Sequence, residues 1–249
     1  MLSLERLMEE AKLRSLPPDK KRAIVREYAQ VIMLRALYQS KNAIEKLFFL
    51  GGTALRLAYD LPRFSEDLDF NGTNLLKSEF EEMLKVAKMG LSKESFESEI
   101  ALKEKGSLLV GRFKLIDILQ KYKIAVMRDE KLIVKFKANR PNQKLEKEGV
   151  VMNGFGYSFS SPLMSKGALL SGKLNALLNR RRGRDIYDII FMLRNKFPLD
   201  SKEILLAHID SLNESELKAL ADQVKPFLFR EEEAELVANA KEVIQSILK

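Results

Sequence analysis

The sequence contains no cysteine, and histidine occurs only once, at His208. The lack of cysteine excludes disulfide bonds, thiolate zinc sites and cysteine nucleophiles, and we expect His208 on a helix surface. No apolar run is long enough to cross a bilayer. The amino-terminal residues mix acidic and basic side chains and lack the apolar region of a signal peptide, so we expect a cytoplasmic protein.

The composition that remains is typical of a globular protein. Of the 249 residues, 46% are hydrophobic and 31% are charged, which allows a core in one large domain or in two small lobes. Lysine and arginine exceed aspartate and glutamate and give a formal net charge of +8. This excess favours nucleic acid or a nucleotide as the partner, although the charge networks of a heat-adapted protein would also account for it.

A short apolar run followed by two glycines is the first feature with chemical content. Residues 47–50 are apolar and end at Gly51 and Gly52, which predicts a buried strand and a turn. Thr53 is placed to cap a helix that Pro62 ends. Glycines before a helix let a phosphate approach N–H groups at the positive end of the helix dipole, but the same pattern also occurs in plain turns.

Two aspartates follow on a second predicted strand. Asp67 and Asp69 alternate with Leu68 and Phe70, so the carboxylates should share one face while the apolar side chains enter the core. Magnesium prefers carboxylates together with substrate phosphates, although such a pair also occurs as solvated polarity at a strand edge. In this order, the glycine turn and the aspartate pair predict a site for a nucleoside triphosphate.

A second block with chemical content begins at Ser165 as an amphipathic helix. Lys173 lies beside its leucines, so the stem can be buried while the ammonium reaches the rim of a cleft; an ordinary boundary lysine is the alternative. Gly183 is predicted to end this helix. Asp185 and Asp188 then lie three residues apart on one face of the next helix, where they could also simply complement the helix dipole.

Arginines are concentrated between these two helices, at positions 180, 181, 182 and 184. Four cations in five residues suit phosphate contacts to RNA or a nucleotide, and a solvated charge run is the alternative. We predict RNA binding by Arg180, Arg181, Arg182 and Arg184.

Together, the two blocks resemble the AbiEii/AbiGii-type nucleotidyltransferase toxins of the DNA polymerase beta-like nucleotidyltransferase superfamily. The matching residues are Gly-Gly-Thr-Ala-Leu-Arg from Gly51, Arg-Phe-Ser-Glu-Asp-Leu-Asp-Phe from Arg63, Lys173, and Arg-Asp-Ile-Tyr-Asp from Arg184. The resemblance covers residues 20–195. It implies an NTP substrate, Mg²⁺, an RNA acceptor such as the 3′ end of tRNA, and a separately encoded antitoxin, with no membrane partner.

The resemblance also implies roles for individual residues. Asp67 and Asp69 would hold Mg²⁺, Lys173 would neutralise charge on the phosphates, and Asp185 would orient Lys173 or act as a further ligand or base. The implied nucleotide-binding residues are Gly51, Gly52, Thr53, Arg56, Ser65 and Lys173.

The sequence departs from the superfamily at the third carboxylate. That acid normally lies on a later strand, here expected over residues 132–137, but the candidate positions are Lys135 and Lys137. The acid would then be Asp117 or Asp185, or the site would use fewer metal ligands. Two other functions stay open: a transferase that modifies a protein or a small molecule, and a non-catalytic RNA-binding relic of the fold.

The order of predicted elements gives an α+β fold. Two helices, the second over residues 18–45, precede the strands, and residues 150–160 are predicted as one further strand. A small mixed sheet flanked by helices should form a polymerase beta-like nucleotidyltransferase lobe over residues 1–160. Residues 161–249 should form a helical lobe that contributes to the cleft.

Overall fold

The computed structural model describes residues 1–125, 127, 130–142 and 145–249. The chain divides into two compact units. Unit 1 comprises Met1–Asp60 and Phe64–Leu163, and unit 2 comprises Leu61–Arg63 and Met164–Lys249. None of the helices formed by the described residues combines the length and the apolar character that a membrane span requires.

In unit 1 the described residues form a mixed sheet with helices. The strands are β1 (Leu47–Leu50), β2 (Leu68–Gly72), β3 (Glu97–Lys105), β4 (Leu108–Ile116), β5 (Leu132–Asn139), β6 (Lys147–Gly154) and β7 (Tyr157–Met164). The helices are α1 (Leu4–Leu13), α2 (Lys21–Leu37), α3 (Lys41–Lys46), α4 (Gly51–Tyr59), α5 (Lys77–Lys93) and α6 (Ile118–Lys121). The expected mixed sheet flanked by helices is confirmed.

The order of the strands in the sheet is β3-β4-β5-β2-β1-β7-β6. Strands β1 and β2 pair antiparallel, whereas β2 pairs parallel with β5 and β1 pairs parallel with β7. In this register Asp69 lies opposite Leu50 on one side and opposite Lys137 on the other. The turn that follows β1 is therefore brought next to the aspartate pair.

One face of the sheet is buried and carries a row of four phenylalanines from neighbouring strands. The ring centroids of Phe49, Phe70, Phe136 and Phe113 are 5.3, 5.4 and 5.2 Å apart in succession. Helix α5 packs on this face, because a Cβ at Gly111 of β4 would lie 2.6 Å from the Leu84 side chain. The opposite face is left to the polar side chains that alternate with these residues.

Two predicted elements are wrong in detail. The helix expected over residues 18–45 is interrupted after Leu37 and resumes at Lys41. The strand expected over residues 150–160 is a hairpin of β6 and β7, with positive φ at Phe155 and Gly156 in the two-residue connection.

The described residues of unit 2 form helices and short 3₁₀ turns. The helices are α7 (Lys166–Arg180), α8 (Gly183–Arg194), α9 (Lys202–Asp210), α10 (Glu214–Val224), α11 (Glu235–Ala238) and α12 (Ala240–Leu248), and the 3₁₀ turns are Lys225–Phe227 and Glu231–Ala234. The expected helical lobe is confirmed, with one correction. Gly183 begins α8 rather than ending α7, and a Cβ there would meet the Leu220 carbonyl oxygen of α10.

Candidate active site

The turn between β1 and α4 lies directly against Asp69. Gly51, the first residue of α4, has a φ of +84°, a conformation that side-chain-bearing residues rarely adopt. A Cβ at Gly51 would lie 2.7 Å from Asp69 Oδ2 and 3.1 Å from Asp69 Cβ. Only glycine therefore allows the amino end of α4 to approach this carboxylate so closely, and the predicted proximity of turn and aspartate is present.

The two aspartates share a face of the sheet, as the alternation predicted. Leu68 and Phe70 are buried at 0% and 1% exposure, whereas the Asp67 and Asp69 side chains are 26% and 34% exposed. Lys137 Nζ lies 2.5 Å from Asp67 Oδ2 and 3.8 Å from Asp69 Oδ1. An ammonium thus bridges two carboxylates that also remain accessible to solvent.

Thr53 has a different role from the predicted helix cap. Leu50 occupies the cap position of α4 without a side-chain hydrogen bond. The Thr53 hydroxyl donates instead to the Asp67 carbonyl oxygen at 2.6 Å, and the residue is 1% exposed. Because this bond ties α4 to the residue before β2, Thr53 positions Asp67. Nucleotide binding by Thr53 stays a prediction.

Arg56 lies in a buried ion pair. The residue is 2% exposed, and Arg56 Nε donates to both carboxylate oxygens of buried Glu27 at 3.3 Å. Such a buried pair anchors α4 to α2, and nucleotide binding by Arg56 stays a prediction. Ser65 is half-buried, and its carbonyl oxygen accepts from Gln30 Nε2 at 3.1 Å. Nucleotide binding by Ser65, Gly51 and Gly52 stays a prediction.

Lys137 occupies the place in β5 where a third carboxylate was expected. Asp117 does not replace it, since it follows Ile116 at the far end of β4, whereas Lys137 pairs with Val110. Six residues along a strand span about 20 Å, which excludes Asp117 as a partner of the pair. Among the described residues, no group of three or more histidine, cysteine, aspartate or glutamate side chains could hold a metal ion.

The second block forms a buried ion-pair cluster in unit 2. Lys173 Nζ lies 2.5 Å from Asp188 Oδ2 and 3.3 Å from Asp185 Oδ1. Asp188 also accepts two hydrogen bonds of 2.6 Å from Arg63 Nε and Nη2. Arg180 donates through Nε and Nη2 to the two Asp185 oxygens, at 2.9 Å each. Two carboxylates are thus matched by three cations.

Burial and charge oppose each other at the centre of this cluster. Burial alone would raise the pKa of Asp188, but the positive charges of Arg63 and Lys173 and their hydrogen bonds outweigh it and hold the pKa below its usual range. Burial likewise acts to lower the pKa of Arg63, and the Asp188 charge raises it. Asp188 and Arg63 are therefore both charged at neutral pH.

Lys173 was predicted to present its ammonium at the rim of a cleft. Its side chain is 11% exposed, and both predicted acids of α8 contact it. Their position on one face of that helix is confirmed. Arg63 and Asp188 were not predicted as site residues. Two features of the sequence could have identified them: Arg63 begins a matched motif, and Asp188 lies three residues after Asp185.

The arginine cluster is not a run of four solvated cations. Besides the Arg180 pair, Arg181 Nη1 lies 3.9 Å from Glu216 Oε1, and the Arg184 guanidinium lies 4.2 Å from the centroid of the Phe227 ring. Arg182 is exposed at the amino end of α8. The cluster therefore has structural contacts in unit 2, and RNA binding by it stays a prediction.

The donor set at the aspartate pair fits a divalent cation. Two carboxylates on one face offer hard oxygen ligands, and a positively charged ammonium already lies between them. Magnesium is commonly held by one or two carboxylates together with substrate phosphates. Asp67 and Asp69 are therefore the residues of unit 1 that would hold such an ion.

Comparisons with known proteins bear on the family and the fold. A family model described as nucleotidyl transferase AbiEii toxin, type IV toxin–antitoxin system, matches residues 34–245, which include both the aspartate pair and the Lys173 cluster. No curated protein sequence matches the chain.

Three solved structures share the fold. MenT4, a nucleotidyltransferase toxin from Mycobacterium tuberculosis, is 17% identical, with a TM-score of 0.63 over 100% of this chain and 90% of that one. A protein from Helicobacter pylori described as a nucleotidyltransferase is 20% identical, with a TM-score of 0.61 over 90% and 94%. JHP933 from the same organism is 19% identical, with a TM-score of 0.56 over 90% and 91%.

Proposed function

The chain belongs to the AbiEii family of nucleotidyltransferase toxins of type IV toxin–antitoxin systems, and from this membership we propose that it transfers a nucleoside monophosphate from an NTP to RNA. Membership implies an NTP substrate and an antitoxin partner, and enzymes of this family generally use a divalent metal ion. We propose Mg²⁺ as the ion and the 3′ end of tRNA as the acceptor. Because NTP and tRNA are cytoplasmic, we place the reaction in the cytoplasm.

One observation carries the assignment to unit 1. Asp67 and Asp69 share a solvent-accessible face, and the glycine turn at the amino end of α4 lies against Asp69. Backbone N–H groups at a helix amino end attract phosphate, and a carboxylate pair attracts the cation that accompanies it. The features that we propose for binding phosphate and its cation therefore lie next to each other, which supports the proposal.

In the proposed reaction, the RNA hydroxyl oxygen forms a bond to the α-phosphorus of the NTP. The bond between the α-phosphorus and the oxygen that bridges to the β-phosphate breaks, pyrophosphate leaves and the hydroxyl proton is released. Bound Mg²⁺ would neutralise phosphate charge. Asp67 and Asp69 would hold that ion, while Gly51 and Gly52 would let the phosphates approach the backbone. Thr53 would keep Asp67 in position through its backbone bond.

We also propose that Lys173 and Asp185 serve the same reaction. Arg63, which belongs to their buried cluster through Asp188, precedes Asp67 by only four residues in the chain. Asp185 contacts Lys173 at 3.3 Å, which is the orienting contact expected of it. Lys173 would neutralise charge that develops on the phosphates.

The test is a transfer assay with Mg²⁺, each of the four α-labelled NTPs in turn, and total tRNA. We expect label in RNA with at least one NTP. Asp69→Asn should abolish it, because the variant removes a ligand charge while keeping the shape of the side chain. Asp222→Asn provides the matched control, since Asp222 is an exposed residue of α10 that forms a local ion pair with Lys225.

The outcomes separate the alternatives. Transfer that survives Asp69→Asn contradicts the assigned site. Label on a co-expressed protein or a small molecule, with none on RNA, would favour a different acceptor class. Tight tRNA binding without NTP consumption would favour a non-catalytic relic, which the lysine at the third-acid position also fits.

A further inference from the structure

The face of the sheet that carries Asp69 is basic beyond the aspartate pair. Side chains that lie opposite each other in paired strands share a face. Asp69 lies opposite Lys137 of β5, Lys137 opposite Val110 of β4, and Val110 opposite Lys103 of β3. The face can therefore be followed residue by residue from Asp69 to the edge strand β3.

Among the described residues of β3, β4 and β5, five further cations lie on this face, and we name them the basic face. They are Lys103, Lys105, Arg112, Lys114 and Lys135. Within the pairing pattern Arg112 lies opposite Lys135, which places two cations side by side on neighbouring strands. Like charges directly opposite each other destabilise a sheet, and a bound polyanion would reduce this repulsion.

The charge of the basic face is only partly neutralised. Lys114 Nζ pairs with Glu99 at 3.0 Å, at the end of the sheet away from Asp69. Among the residues that the structure describes, Arg112, Lys135 and Lys103 have no carboxylate within 4 Å. Arg112 and Lys103 are exposed, and Lys135 is half-buried. Lys137 pairs with the two aspartates, whereas these three cations, on the side of the basic face towards Asp69, have no counter-ion among the described residues.

The dimensions suit a nucleic-acid backbone. Neighbouring strands lie about 4.8 Å apart, so the three steps from β2 to β3 span roughly 14 Å. Successive phosphates of a duplex strand are spaced about 3.4 Å apart along the axis, so the face is long enough to contact several phosphates of a nucleic-acid backbone.

We propose that the basic face binds the sugar-phosphate backbone of the RNA acceptor and leads it to the aspartate pair. This inference rests on the proposed function for the identity of the polyanion as the acceptor. Positive side chains without base-reading geometry select for phosphate rather than for sequence. The basic face therefore supplies affinity, while the aspartate pair supplies the reaction.

The test uses the full chain with Arg112→Gln and Lys135→Gln combined. Binding of fluorescein-labelled total tRNA is measured by anisotropy from 50 to 300 mM KCl, without NTP. We expect at least a tenfold weaker affinity at 100 mM KCl and a salt slope smaller in magnitude by about 1.4, since each single-strand phosphate contact contributes about 0.7. Affinity for NTP should stay unchanged.

The matched control is Lys12→Gln combined with Lys218→Gln, which removes the same charge from exposed positions of α1 and α10. If this control weakens tRNA binding as much, net charge alone explains the effect and the proposal is overturned. Unchanged affinity and slope in the double variant of the basic face overturn it as well.

A second measurement needs no substitution. In the wild-type protein, bound tRNA should protect Lys103, Lys105 and Lys135 from acetylation, while Lys12 and Lys218 react as before. Protection of these lysines by a protein partner, with none by tRNA, would assign the surface to that partner and overturn the proposal.

The two proposals fail in different ways. Asp69→Asn should lose transfer and keep tRNA binding. If the basic-face variant transfers nucleotide to RNA as well as the wild type does, the proposed RNA-binding surface is refuted and the proposed reaction is not. If tRNA binds through this face in a salt-dependent way but no nucleotide is transferred, the proposed reaction is refuted and the proposed RNA-binding surface is not.

Discussion

At position 51 the turn has room for the hydrogen of a glycine but not for a Cβ atom. The Cβ that any other residue carries would lie 2.7 Å from Asp69 Oδ2, and the φ of +84° disfavours a side chain independently. Gly106, in the β3–β4 turn, has a φ of +57°, but a Cβ added there would have no heavy atom within 4 Å. Substitutions at Gly51 and Gly106 can therefore distinguish the effect of backbone strain from the effect of contact with the Asp69 carboxylate.

We expect Gly51→Ala to abolish transfer and Gly106→Ala to leave it unchanged. Both variants should lose about 1–2 kcal/mol of stability from the left-handed conformation, whereas only Gly51→Ala displaces Asp69. Urea unfolding measures the first effect and the NTP transfer assay measures the second. Equal activity of the two variants would show that the contact with Asp69 is not needed.

The buried carboxylate of Asp188 is expected to be worth more than any surface pair. Asp188→Asn leaves Arg63 and Lys173 buried with less negative charge to balance them, and breaking such a buried pair costs about 3–5 kcal/mol. Denaturant unfolding measures the loss. Asp222→Asn, which removes an exposed partner of Lys225, should change stability little; equal losses would contradict a buried network.

The lowered pKa of Asp188 fixes the sign of a pH effect. An unfolded aspartate titrates near pH 3.9, and the folded one titrates lower because of Arg63 and Lys173. The stability that this group adds is therefore complete above about pH 4 and is lost as the pH falls through the folded pKa. We expect the stability difference between wild type and Asp188→Asn to shrink below pH 4. A difference that stays constant down to pH 2 would refute this assignment.

At the scale of elements, the pairing of β2 with β5 decides the character of the aspartate site. The parallel register places Lys137 opposite Asp69, and its ammonium contacts both aspartates. At an effective dielectric constant of about 20, unit charges 4 Å apart interact by roughly 4 kcal/mol, and solvent screening reduces this for half-exposed groups. Lys137 therefore competes electrostatically with a divalent ion for the same oxygens.

We expect Lys137→Met to strengthen Mn²⁺ binding about tenfold when no nucleotide is present, because the competing charge is removed. Titration followed by electron paramagnetic resonance of free Mn²⁺ gives the affinity directly. Lys135→Met is the matched control, since it removes the same charge from the same face of β5 two residues away. Equal affinity in wild type and Lys137→Met would show that the ammonium does not occupy the metal position.

Features that are set by residues close together in the sequence can be predicted from it, whereas features that depend on the pairing of distant strands cannot. Alternation along β2 and the glycine turn after β1 are local, and both were predicted. The hairpin turn at Phe155 and Gly156 is also local and was missed, although glycines flank the phenylalanine in the sequence. The contact of Lys137 with Asp67 depends on strand order, which no spacing along the chain reveals.

At the scale of the whole molecule, the proposed binding of RNA depends more on where the cations lie in the fold than on the net charge of +8. The densest run of arginines was predicted to meet RNA, but its first member, Arg180, is bound to Asp185 through two hydrogen bonds. The basic face, by contrast, is assembled from three strands and forms no run in the sequence. Long-range pairing of this kind is invisible to a sequence read in order.

The two units are each given part of one proposed reaction, and a double-mutant cycle tests that division. We expect Asp69→Asn and Lys173→Met each to lower transfer about 10²-fold or more. If both groups act in one step, the double variant should lose little more activity than either single variant, because residues that act as a unit are strongly non-additive.

The control for Lys173→Met is Lys218→Met, since Lys218 is an exposed lysine of α10. Unfolding curves must show each variant folded at the assay temperature, since Lys173 balances two buried carboxylates. Full transfer by a folded Lys173→Met variant would remove unit 2 from the chemistry, and multiplicative losses would assign the two groups to separate steps.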